Sequence, residues 1–152
     1  MKKQLLSLMA IIGLATASAT PVIADDLETL DGSWTAQKTT DEGQHVSTQI
    51  EIKKNKFKLK VMDRDGQTRL YAEGDVKLDK AGPFKTMVFT NIKAGESDSD
   101  LSPIDDTYTS IYRIGEDNTW TLLTNFDKDR DQQKPSLDVY RKTKETATSK
   151  AK

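Results

Sequence analysis

The chain has 152 residues, 31% of them charged, with acidic and basic side chains interspersed to a formal net charge of −1. It has no cysteine, which excludes a disulfide framework, thiolate catalysis and cysteine-ligated zinc. The mixed charge excludes the clustered basic face of a nucleic-acid binder.

The first segment reads as an export signal. Lys2 and Lys3 precede an apolar run from Leu5 to Ala19, and Val22-Ile23-Ala24 offers the small-x-small pattern that a signal peptidase cuts after. The run is too short for a comfortable membrane span, and the acidic Asp25-Asp26 that follows is not a stop-transfer flank. Residues 1–24 are therefore expected to be removed. That leaves one domain of roughly 130 residues, periplasmic or secreted, with no membrane insertion after cleavage. Without disulfides, such a domain depends on its apolar core alone.

From residue 33 onward the apolar pattern has a period of two. Phe57-Lys58-Leu59-Lys60-Val61 alternates strictly, and Leu70 to Leu78 keeps the same rule. After a possible helical turn at Asp26 to Leu30, eight strands are predicted, at about 33–39, 45–53, 56–62, 68–79, 84–92, 107–114, 119–126 and 136–142. Turn residues separate them: Asp41-Glu42-Gly43, Lys54-Asn55, Asp63-Arg64-Asp65-Gly66, Gly82-Pro83 and Gly115 to Asn118. Lys93 to Asp106, rich in serine and aspartate, reads as one long loop. The domain spans 25–142, and the polar tail 143–152 is expected to be disordered.

Eight antiparallel strands with mostly short connections fit an all-β, up-and-down barrel, which leaves no exposed sheet edge. A two-sheet sandwich is the alternative. On the first strand Trp34 and Ala36 share a face directly after Gly32. On the last, Leu137, Val139 and Arg141 share one by parity. If those strands are neighbours, Arg141 is expected to lie across the Trp34 indole and close the barrel.

In these features the chain resembles the lipocalin-like, or calycin, group, in which a Gly-x-Trp on the first strand is covered by an arginine from the closing strand. The matching stretches are Leu30-Asp31-Gly32-Ser33-Trp34, Pro83 to Phe89, Thr109 to Ile114 and Leu137 to Lys142. More narrowly it is similar to short secreted bacterial lipocalin-like domains of uncharacterised function. The resemblance implies a barrel that binds a small, partly apolar molecule. The long first loop and the trailing helix of larger binders are missing here, since the first connection is only about Thr40 to Gln44.

Phe57, Tyr112 and Trp120 are the candidate ligand contacts, because rings supply most of the apolar contact area in a small cavity. Small or hydroxylated inward positions, Thr48, Ala72, Gly74, Ser110 and Thr124, leave room for such a ligand. Gly32, Trp34 and Arg141 are assigned to closure. No cofactor is expected, and no metal site: Asp127, Asp129, Asp131 and Asp138 have calcium-loop spacing, but Gln132 stands where the turn needs glycine. His45, the one histidine, lacks a nucleophile motif, and Glu73 with Asp75 reads as a wet strand face, so no catalytic constellation is visible. The other functional class left open is a non-enzymatic protein-interaction or cell-envelope module with a filled barrel.

Overall fold

A computed structural model describes residues 21–40, 43–127 and 134–143. The expected signal segment up to residue 20, the tail from 144, and Asp129, Asp131 and Gln132 lie outside the described residues. One helix, α1 (Pro21–Leu30), is followed by nine strands. These are β1 (Gly32–Thr39), β2 (His45–Lys53), β3 (Lys56–Met62), β4 (Thr68–Ala81), β5 (Phe84–Ser97), β6 (Asp100–Pro103), β7 (Tyr108–Ile114), β8 (Thr119–Thr124) and β9 (Ser136–Lys142).

All pairings are antiparallel, in the order β4-β3-β2-β1-β9-β8-β7-β5-β6, and a further β4–β5 ladder closes the sheet on itself. The result is an eight-stranded up-and-down barrel with β6 as an extra strand, which excludes the sandwich. Closure comes from the pairing of β1 with β9 through Trp34↔Lys142 and Thr35↔Arg141.

The chain between Lys93 and Asp106 departs from the expected loop. β5 continues to Ser97, and β6 folds back on it with Lys93↔Pro103 and Ala94↔Ser102 in register. Gly95 permits this, because a Cβ there would stand 1.8 Å from the Asp100 carbonyl oxygen. A bulge at Asn91, which has φ of 52°, shifts the β4–β5 register between Glu73 and Asp75. Gly74 lies opposite that bulge, and its missing Cβ leaves space for the Phe57 ring and the Thr90 carbonyl.

α1 covers one end of the barrel. It is longer than the turn expected at Asp26 to Leu30 and runs through the expected cleavage point. Leu30 is fully buried, and Leu27 packs against the core. Strand contacts pin the helix from several directions. Trp34 Nε1 donates to the Leu30 carbonyl at 2.8 Å, Lys142 Nζ to the Thr29 carbonyl at 3.2 Å, and the Lys54 N–H to Asp31 Oδ2 at 3.2 Å. The last bond steadies the β2–β3 turn, where Lys54 has a φ of 56°.

Candidate functional site

The large rings of the barrel interior gather near α1, and small side chains are confined to positions farther from it. Near α1 the inward positions carry Trp34, Ile50, Ile52, Phe57, Val76, Leu78, Met87, Phe89, Tyr112, Trp120 and Tyr140, all buried in one core cluster. The rings pack edge to face, Trp34 on Trp120 at 5.7 Å and Phe57 on Phe89 at 4.9 Å, while Tyr140 lies tilted on Trp120 at 5.0 Å. Farther along the same strands, away from the helix, the inward residues include the small Ala36, Thr48, Ala72, Ala94, Ser110 and Thr124, interleaved with the larger Leu59, Val61, Ile92, Tyr108 and Leu122. Thr48, Leu59, Val61, Ala94, Tyr108 and Thr124 are only partly buried although they point inward, so solvent reaches them from the open end.

The three expected ligand contacts all face inward and are buried, but they belong to the packed half. Phe57 is held by Phe89 and Gly74. The Tyr112 hydroxyl donates to Asp26 Oδ2 at 2.8 Å, and Lys85 Nζ donates to the same oxygen at 2.7 Å. Burial, followed by the Asp26 charge, pushes the Tyr112 phenol far above its usual range. Burial and then Asp138 do the same to Tyr140. Trp120 lies between Trp34 and Tyr140, and among the described residues its Nε1 has no hydrogen-bond partner.

Closure needs one correction. Arg141 is exposed and sits on the outer face, as do Leu137 and Val139, which are 64% and 48% exposed. The inward face of β9 carries Ser136, Asp138, Tyr140 and Lys142. Lys142 therefore covers the indole, with Nζ 5.3 Å from the Trp34 ring centroid. The strand is shifted by one residue relative to the expectation because Tyr140 stacks on Trp120, and a buried ring outweighs two aliphatic side chains left in water. Gly32 does stand at the barrel end, with φ of 120° and the Lys142 side chain 3.2 Å from where a Cβ would be.

A polar tie crosses the rim of the open end. Lys38 Nζ donates to Ser136 Oγ and lies 3.4 Å from Asp138 Oδ1. Asp138, expected as part of a calcium-type spacing, thus faces a lysine. Among the described residues no group of three or more histidines or carboxylates is placed to hold a metal ion. His45 Nδ1 meets Thr39 Oγ1 at 3.1 Å, beside an outer cleft of about 450 Å³ that Asp63 and Arg64 also line. Asp75 bonds Asn91 at 2.7 Å and pairs with Lys56, which holds its carboxyl below the usual range. Tyr71, read as wet, is only 4% exposed: Lys60 Nζ lies 5.7 Å over its ring, and Gly95 stands opposite it.

Ala94, Lys38 and Lys142 were not singled out by the sequence reading, and Asp138 was read only for its calcium-type spacing, not as an inward residue. Ala94 was hidden in the supposed loop, and the other three depend on which face of their strand turns inward. Comparison with protein-family models, with curated proteins and with solved structures returns no match for this chain.

Proposed function

We propose that this chain is an exported, lipocalin-like barrel that binds a small, partly apolar molecule in the half of its interior opposite α1. The observation that carries the reading is the group of small inward side chains beyond the ring cluster, Ala36, Thr48, Ala72, Ala94, Ser110 and Thr124. The proposal seats the ligand beside these small side chains on six strands, where three hydroxyls supply the few polar contacts that orient it. Phe57, Tyr112 and Trp120 then form the floor of the site, while Lys38, Ser136 and Asp138 stand at its rim. The Trp120 Nε1 hydrogen supports the same reading as a donor still available inside the barrel.

Export rests on the residue 1–24 pattern, with cleavage proposed before Asp25. The outward faces of β2, β3 and β4 carry exposed Glu51, Lys58, Lys60 and Lys77, which supports a barrel surrounded by water rather than lipid. Nothing in the site assembles a nucleophile with a base, and the proposal is non-enzymatic. Native mass spectrometry of protein recovered from its own host tests the reading. A small molecule retained at one per chain is the expected result; protein consistently free of any retained mass counts against it.

The second reading is a protein-interaction or cell-envelope module. It is favoured by the outer face of β7 to β9, where Ile111, Leu123, Leu137 and Val139 form an apolar patch among threonines.

A further inference from the structure

The β1–β9 seam is zipped at one end only. Its ladder stops at Thr35↔Arg141, yet β1 continues to Thr39 and β9 reaches back to Ser136. On their other sides both strands stay fully paired, β1 with β2 through Thr39↔His45 and β9 with β8 through Thr124↔Ser136.

The direction of the main-chain groups follows from two flanking bonds. The Thr143 N–H donates to the Ser33 carbonyl, so alternate residues from there, Arg141, Val139 and Leu137 on β9 and Thr35, Gln37 and Thr39 on β1, aim their N–H and C=O across the seam. The Lys142 N–H donates instead to Asn118 of the β7–β8 turn, which confirms the alternation. Beyond the ladder, the N–H and C=O groups of Gln37, Thr39, Leu137 and Val139 therefore face the seam without a ladder partner among the described residues. What crosses the gap is a side-chain tie on the inner face, from Lys38 to Ser136 and Asp138.

A row of unladdered main-chain groups is a template for another strand. The same stretch carries Leu137 and Val139, two of the most exposed aliphatic side chains of the described residues, and no charge stands among Thr35, Gln37, Thr39, Leu137 and Val139 on the outer face. We infer that this seam is a strand-addition site for an extended segment of another protein, uncharged at alternate positions, with aliphatic or β-branched side chains facing Leu137 and Val139. Main-chain hydrogen bonds to the two edges provide the attachment, and the outer aliphatic pair provides selectivity. The unladdered stretch is about four residues long, roughly 13 Å of strand. The site lies in the barrel wall and does not depend on what the interior holds.

The probe is an acetylated, amidated octapeptide alternating threonine and valine between terminal lysines, followed by hydrogen exchange and fluorescence anisotropy. Free protein is expected to exchange the amides of Gln37, Thr39, Leu137 and Val139 at least 10-fold faster than those of Trp34 and Ala36. Peptide is expected to bind at one per chain and to slow exchange at those four positions. N-methylation of alternate peptide amides, and separately Leu137→Lys with Val139→Lys, should each weaken binding at least 10-fold. Both side chains are already in water, so the double variant is expected to fold, and its circular dichroism and melting verify that. Four amides as protected as Trp34 in dilute protein, or an N-methylated peptide that binds equally well, overturn the inference. So does protection that appears only as the chain self-associates, which makes a second copy the occupant.

Discussion

Lys142 lies over the indole of Trp34, its Nζ 5.3 Å from the ring centroid, and the same ammonium donates to the carbonyl of Thr29 at the end of α1. One side chain thus joins the last strand, the first strand and the helix that caps them. The cation also sits at a helix C-terminus, where the backbone dipole favours it. Lys142→Ala is expected to lower stability by about 1–2 kcal/mol in urea denaturation, through both contacts and the lost stem packing. Arg141→Ala, one residue away on the wet face, should cost under about 0.5 kcal/mol. The opposite ranking would return the closing role to Arg141.

The carboxylate of Asp26 is shared by Tyr112 and Lys85, and it anchors the start of the helical cap. Tyr112→Phe is expected to cost about 1–3 kcal/mol, the range for a hydrogen bond to a charged partner. Alkaline behaviour follows from the raised phenols of Tyr112 and Tyr140. The folded state keeps these protons at a pH where the unfolded chain releases them, so their contribution is fully present below about pH 10. It is lost as pH rises toward the higher folded values. Stability should therefore fall with pH above about 10, and Tyr112→Phe should make that fall shallower. Denaturant titrations between pH 9 and 11.5 check the slope; identical slopes for both proteins would contradict the account.

Most of the architecture was legible because the strands of this barrel are wet on one side. Alternation such as Phe57 to Val61 then marks each strand and its two faces directly. The β5–β6 hairpin was not legible, since its serines, aspartates and Gly95 have low strand propensity, and it forms because Gly95 lets the Asp100 carbonyl approach. The closing strand failed differently. A period of two fixes which residues share a face but not which face turns inward, and Leu137 with Val139 outvoted Tyr140 until the Trp120 ring was in place to stack on it. The same ambiguity hid Lys38 and the inward orientation of Asp138. The candidate ligand residues were read correctly as inward-facing, but distance from the helical cap, which separates the packed half from the open half, is a property of the assembled barrel.

Two glycines are expected to be intolerant of even one methyl group. Gly95→Ala would drive a Cβ into the Asp100 carbonyl and should detach β6, seen as faster hydrogen exchange at Lys93 to Pro103. Gly74→Ala would press on the Phe57 ring and the Thr90 carbonyl, at 2.9 Å and 2.7 Å, and should cost about 1–3 kcal/mol of global stability. Gly43→Ala meets nothing within 4 Å and serves as a control for backbone strain alone, at its φ of 78°.

The ligand-binding claim is tested most directly by titrating an environment-sensitive apolar dye into the cleaved protein, its Ala94→Leu variant and its Ser110→Leu variant. Leucine at either position adds volume to the interior away from α1, and melting temperatures check that the variants fold. The account predicts saturable binding by the parent at a stoichiometry near one, with a change in indole fluorescence. It predicts at least a 10-fold loss of affinity in each filled variant. Equal dye affinity in all three folded proteins, or no saturable binding by the parent, would contradict a ligand site in the open half of the barrel.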